Sequence, residues 1–414
     1  MSASPPAPPS ESASPAPAGF RRGRLATAAL FCFLGFQYAT WVSRLPALKD
    51  RFDLDEARVG LLLMACGVGA AVSFPLVAHL MKRLGSRQLA LWSGLCLVGV
   101  LPALSAAGNY PLVLAVVFVD GVAVGCLNVA MNAQGAALES RYGRTTMAQL
   151  HATFSGGQLA GALLASGMNA VTHALAAHFA LGAALLILLL AAARPGLLAD
   201  DGGASAEEPE PEPEPSKDAH EAKGLRKLTG AGQAALWLSF AMMLGTVVEG
   251  AMTDWSTLYL AEETGASARL APLGIAVVSV MMVLARLLGD RWRERWGDAR
   301  VVRVGSVVAG TGLGLALVTG GTWPALVGFA CVGLGMATVT PCLYVAAAAE
   351  GPQALTLVAA MGTTGLLAGP ALIGFVAGHT DLTVGMSVVA VSALLVSLTA
   401  RHRSWHTPRK TRTA

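Results

Sequence analysis

Apolar stretches of about twenty residues, separated by short polar turns, succeed one another along almost the whole chain. They fall near 25–45, 59–80, 89–108, 111–138, 146–170 and 174–193, then near 234–260, 272–290, 301–320, 323–348, 354–378 and 383–400. A helix needs about 20 apolar residues to cross the ~30 Å hydrocarbon layer of a bilayer. The pattern therefore predicts an all-α integral membrane protein with twelve transmembrane helices in two sets of six. Between the sets lies a polar insert containing EEPEPEPEPSKD, whose alternating Glu and Pro favour an extended, solvated linker. The first residues, MSASPPAPPSESASPAPAGF, are rich in Pro, Ser and Ala and read as a disordered tail. They lack the charged start and cleavage site of a signal peptide, so the first apolar run reads as a retained span. The organisation expected is a tail at 1–22, a six-helix bundle at 23–194, a linker at 195–230, a second bundle at 231–401 and a basic tail at 402–414.

Composition agrees with the pattern. Of 414 residues 54% are hydrophobic and only 13% are charged, about half the ~25% usual in soluble domains. The mean hydropathy is +0.58. The 47 glycines suit helices that must approach closely where lipid provides no hydrophobic drive for association. The net charge of +4 is no nucleic-acid signal, because the basic residues are scattered between apolar runs. Their distribution sets orientation. Of 29 Lys and Arg, 23 lie in the tails, the insert and the loops on one side; Arg44, Lys49, Arg51, Arg58 and Arg269 lie on the other; Arg286 is inside a span. Positive charge stays cytoplasmic, which puts both termini and the linker inside a plasma (cytoplasmic) membrane crossed many times. The six cysteines all lie in apolar stretches without ligand or disulfide spacing, and read as small hydrophobes.

The two halves repeat. GGQLAGALLASG (156–167) lies over TGLLAGPALIGF (364–375), LMKRLG (80–85) over WRERWG (292–297), AALES (136–140) over AAAEG (347–351), and Trp41 over Trp255. The offset is nearly constant, and six spans per copy give both copies the same orientation. Parallel halves of this kind belong to one of the known transporter architectures.

Polar residues are unevenly spread. Spans 3, 6, 9 and 12 carry little beyond Ser, Thr and His178 and are expected to face lipid. Span 1 places Gln37, Trp41 and Arg44 on one face, beside Tyr38. Span 4 carries Asn128 and Asn132, with Asp120 at the edge of their face. Span 5 carries His151, Ser155 and Gln158; span 7 carries Thr246, Glu249, Thr253 and Ser256, with Asp254 and Trp255 near its end; span 10 offers Thr340 and Tyr344. These stripes describe an aqueous cavity holding a small-molecule substrate on Gln37, Tyr38, Trp41, Arg44, Asn128, Asn132, His151, Gln158, Glu249, Trp255 and Tyr344. A carboxylate inside a membrane is costly and marks function, so Glu249, Asp254 and Asp120 are the proton-coupling candidates. Asp254, near an outer helix end, is expected to be the wetter. Glu249, once protonated from the outer side, would lower the cost of rocking one half against the other. Helix-to-helix bonding is the competing explanation for each polar residue. No metal, nucleophile or phosphate-loop spacing is present, so neither enzyme nor cofactor is expected.

The loop AHLMKRLGSR (78–87) offers Arg83, Gly85 and Arg87, with Lys82 where an acid would stand. Its second copy, DRWRERWGDA, offers Glu294 and Arg295, and Arg286 is spaced to pair with Asp290. These match the cytoplasmic gate loop of major facilitators. Together with FQYATWVSRLPALKDRF, LHATFSGG and EGAMTDWSTLYL, they make the chain resemble the MosC/YbjJ-like branch of that superfamily. LMKRLG, GCLNVAMN and MAQLHATFSGG are similar to fucose-type proton symporters, whose span 4 glutamate is here Asn128 and whose span 1 acid falls near Val42. The resemblance implies a secondary transporter working as a monomer by alternating access, with H⁺ as coupling ion and a sugar, polyol or cyclitol-like solute. An amino-cyclitol is the substrate hint of the MosC branch. The alternative is a proton-antiport exporter of drugs or metabolites; its Gly-x-x-x-Gly-Pro pattern is absent from span 5 but occurs on span 11 at Gly365, Gly369 and Pro370. A membrane sensor would need an effector domain, for which insert and tail are too short.

Overall fold

The computed structural model describes residues 18–199 and 232–400, which fold as helices joined by short turns. Span 1 is Ala18–Val42, followed by a short helix, Leu45–Phe52. Spans 2 and 3 share Glu56–Ala106; span 4 is Tyr110–Tyr142, span 5 Met147–Val171 and span 6 Leu175–Ala193. In the second half span 7 is Gln233–Glu262, span 8 Leu273–Trp296 and span 9 Asp298–Thr319. Span 10 is Thr322–Met336 with Val339–Glu350, span 11 Pro352–His379 and span 12 Leu382–Thr399. We call the side where span 1 begins and span 12 ends the terminal face, and the opposite side the far face.

Spans 5 and 8 each carry polar side chains within their apolar stretch. They carry His151, Ser155, Gln158 and Arg286, and they pack on each other between the halves. A further seam between halves is span 2 against span 11. Three spans start on the far face with a side-chain cap: Asp55 accepts from Arg58 N, Asn109 from Leu112 N and Asp381 from Val384 N. Each satisfies an amide that a helix start leaves open, typically worth ~1 kcal/mol.

The repeat reappears as geometry. Gly85 turns the chain from span 2 to span 3 with φ 71 and ψ 167, and Gly297 turns it from span 8 to span 9 with φ 78 and ψ 155. That region is essentially open to glycine alone. Gly157 of span 5 sits against the Cys32 carbonyl of span 1, and Gly365 of span 11 sits against the Met243 carbonyl of span 7. Both crossings are too close for a Cβ.

Three expectations need correction. The tail assigned to 1–22 ends earlier, because Ala18–Val42 already includes Phe20, which is buried and packs on Tyr142 at 5.5 Å. Span 1 does not run to 45: it stops at Val42, and Pro46 opens a separate helix. Span 10 breaks at Ala337 and Thr338. The tail at 402–414 and all but 195–199 of the linker lie outside the described residues.

Candidate functional site

Consecutive residues of span 1 reach two buried carboxylates in different halves. Gln37 Nε2 donates to Asp120 Oδ1 at 2.7 Å, inside the first half. Tyr38 OH donates to Asp254 Oδ1 at 2.7 Å, across to the second. Successive helix positions point about 100° apart, which is how neighbours in sequence serve both halves. Cys66 Sγ adds a contact to Asp120 Oδ2 at 3.6 Å, and the Trp41 indole N–H approaches that carboxylate without reaching hydrogen-bond geometry. Asp120 is fully buried and Asp254 only 3% exposed. Among the described residues their hydrogen-bonding partners are neutral, so no bonded cation offsets either charge. Asp254 is therefore not the wet outer-end carboxylate that its position in span 7 suggested. The Tyr38 hydroxyl is its described hydrogen-bond partner.

Glu249 has different surroundings. Arg286 Nη2 donates to its Oε1 at 3.1 Å, while Arg286 Nη1 donates to Ser155 Oγ at 2.8 Å in the opposite half. The two charged side chains remain 36% and 26% exposed. The side chain of Asp290, the partner expected for Arg286 from helical spacing, lies outside the described residues. Arg286 thus belongs to the middle of the membrane, where an unpaired guanidinium would be costly.

Toward the far face the halves are tied further. Lys49 Nζ lies 2.8 Å from Glu56 and 2.7 Å from Glu262, joining the short helix after span 1 to the end of span 7. Ser166 Oγ donates to Arg269 O at 2.7 Å and Asn169 Nδ2 to Ala268 O at 2.6 Å, holding the turn between spans 7 and 8 against span 5. Gly60 and Gly374 bring spans 2 and 11 into backbone contact there. Lys49, Glu262, Ser166 and Asn169 were not singled out in the sequence. Only Lys49 left a trace, as one of five basic residues in far-face loops.

The remaining candidates divide by exposure. Asn128 and His151 are exposed, Tyr344 is 38% exposed, and Asn132 is half-buried, donating to Asn128 Oδ1 at 3.1 Å. His151 also packs edge-on against Phe31 at 5.0 Å. Gln158 is buried. Gln37, Trp41 and Trp255 are completely enclosed, so none of them meets a solute in this conformation. Arg44 is buried too, bonded to Asn169 Oδ1 and to His173 O, ties that stay within the first half.

Of the expected gate residues, Gly85 is a turn residue and Arg87 donates to Arg194 O at 3.3 Å, a cation at the closing carbonyls of span 6. Arg83, Glu294 and Arg295 lie exposed on the terminal face. The acid that engages this loop's second copy is Asp298, gripped by Arg293 through two bonds of 2.9 and 3.1 Å, and not Glu294.

A twelve-span chain of two parallel halves with a buried acid, Asp254, bonded across them has the build of a membrane transporter. The sequence pattern of the Major Facilitator Superfamily matches residues 25–353 and again 257–413, and the chain belongs to that superfamily. It is 34% identical over 388 residues to an uncharacterised MFS-type transporter of Yersinia pestis, covering 91% of this chain and 95% of the relative. It is 29% identical over 393 residues to the membrane protein MosC of Rhizobium meliloti, covering 91% of each. Among solved structures, a D-xylose-proton symporter superposes with a TM-score of 0.68 at 15% identity, over 92% of this chain and 97% of the other.

Proposed function

We propose that this transporter carries a small polar solute of the sugar, polyol or cyclitol class together with protons, by alternating access between the two halves. The observation that carries the reading is an asymmetry. The described side-chain bonds between halves run from the middle of the membrane to the far face. Polar side chains nearer the terminal face, Asn128, His151 and Tyr344, stay exposed. Exposed amides and imidazoles are costly against lipid and natural against water. This conformation is then closed on the far face and open on the terminal face. The excess of Lys and Arg makes the terminal face the cytoplasmic one, with both termini inside a cytoplasmic membrane.

In this reading Asn128, Asn132, His151, Tyr344 and the Glu249–Arg286 pair offer donors and acceptors to a hydroxylated solute. The fold shared with a D-xylose-proton symporter supports that class of solute and that coupling ion. Asp254 and Asp120 carry the coupling. A proton neutralises a charge that has no bonded cation, and at Asp254 it also weakens a bond tying the halves together. Glu249 keeps Arg286 in place for the solute and is not itself the mobile-proton site. The transporter works as a single copy.

The test is uptake into proteoliposomes under an imposed pH gradient, comparing sugars, polyols and amino-cyclitols with lipophilic cations. Accumulation of a polyol or sugar driven by the gradient, and uncoupled from it in Asp254→Asn, supports the reading. Movement of lipophilic cations against the proton gradient would make the protein an exporter and overturn it.

A further inference from the structure

Spans 8, 9 and 10 enclose a cleft of about 460 Å³ toward the terminal face, within the ~300–1,000 Å³ usual for small-molecule sites. Its sides are Trp292 and Trp296 of span 8 with Arg300 and Val304 of span 9; Leu334 and Thr338 of span 10 form the floor. The cleft has a cause in the packing. Spans 8 and 9 follow each other in sequence yet touch little, and both pack on span 10. Spans 9 and 10 meet backbone to backbone at Gly305 and Gly335, and glycines leave no side chain to fill the space above the crossing.

The mouth opens sideways into lipid. Trp296 is 50% and Val304 54% exposed, and span 9 continues upward with exposed Val307, Leu315 and Val318. Trp292 and Trp296 stack at 6.5 Å with 20° between rings, at the level where indoles meet headgroups. Basic charge is in excess at this end, where Glu294 is an exposed acid. Arg291, Arg295, Arg300 and Arg303 are exposed there, while Asp298 is engaged by Arg293.

We propose that the cleft holds an anionic phospholipid, with an acyl chain between the span 8 tryptophans and the span 9 valines and its phosphate at Arg300. A deep apolar slot explains the chain, and arginines around its mouth explain a preference for negative headgroups. The site is independent of the solute pathway and of the reading given above. Its floor includes Thr338, in the joint of span 10.

The test is native mass spectrometry of the full chain, released from detergent after incubation with equal amounts of phosphatidylglycerol and phosphatidylcholine bearing identical chains. Wild type retains phosphatidylglycerol preferentially. Arg300→Gln lowers that retention about fivefold, the share of one basic residue near an anionic lipid, and leaves phosphatidylcholine unchanged. Val304→Trp fills the slot from an exposed position and reduces retention of both. Arg303→Gln, outside the slot, has the smaller effect of the two arginine changes. Equal retention of the two lipids by wild type would overturn the proposal. So would unchanged retention in both slot variants, or an Arg303→Gln loss as large as that of Arg300→Gln.

Discussion

Replacing Tyr38 by Phe removes one oxygen and tests whether the far face is held shut by a bond between halves. The hydroxyl donates to Asp254 Oδ1 at 2.7 Å, and Asp254 is 3% exposed with Tyr38 as its described hydrogen-bond donor. A hydrogen bond to an ionised group is worth ~1.5–3 kcal/mol net, and one between neutral groups ~1 kcal/mol. With the far face open, water can serve both partners, so the loss falls on the closed state. The equilibrium then shifts toward far-face opening by about 10- to 150-fold while Asp254 is ionised, and about fivefold once it is protonated. The sign with pH follows: the effect of Tyr38→Phe is large at high pH and shrinks as pH falls and Asp254 takes up a proton. Exposed Asp50 and Ser267, on far-face segments of opposite halves, are suitable positions for spin labels in a chain whose native cysteines are replaced by alanine. Double electron–electron resonance in nanodiscs reads the distance between them. A long-distance population that grows in Tyr38→Phe, at pH 8 and at pH 5, is the expected result. Identical distributions for parent and variant at both values would refute the latch.

The other expectations concern the same seam and the turns that frame it. Lys49→Gln removes the clamp between Glu56 and Glu262 and increases far-face opening modestly, since partly exposed pairs contribute ~0.2–1 kcal/mol; the same distance measurement sees a smaller effect at high salt. Arg286→Gln leaves Glu249 unpaired and lowers thermal stability in detergent, by less than the ~3–5 kcal/mol of a fully buried pair because both side chains keep contact with water. Adding Glu249→Gln restores part of that loss; a double variant no better than the single would remove the pairing argument. Gly85→Ala and Gly297→Ala each force a Cβ into positive φ and cost on the order of 1–3 kcal/mol, visible as a lower melting temperature, whereas Gly99→Ala, with open space around it, changes little.

Much of the architecture was legible along the chain because bilayer physics acts on one helix at a time. Each span must be about twenty residues long and apolar, so spans, halves and repeat could all be read without knowing a contact. The offset that aligned LMKRLG with WRERWG turned out to align two glycines of nearly the same backbone conformation, Gly85 and Gly297. The carboxylates were legible too, since a charge in an apolar run stands out. Their partners were not. The described bonds of Arg286 go to Glu249 on span 7 and Ser155 on span 5, helices other than its own. Helical spacing knows only neighbours on one helix.

What the amino-acid sequence determined by itself was therefore a twelve-span membrane protein of two like-oriented halves, with a few polar side chains too costly to leave in lipid. Tertiary structure alone decided which of those side chains are enclosed, as Gln37, Trp41 and Trp255 are, and which stay open, as Asn128 and His151 do. It also decided that Gln37 and Tyr38, adjacent in span 1, serve opposite halves. The physical reason is range. Hydrophobic length is a local property of each segment, whereas the partner of a buried charge is set by how separate helices cross.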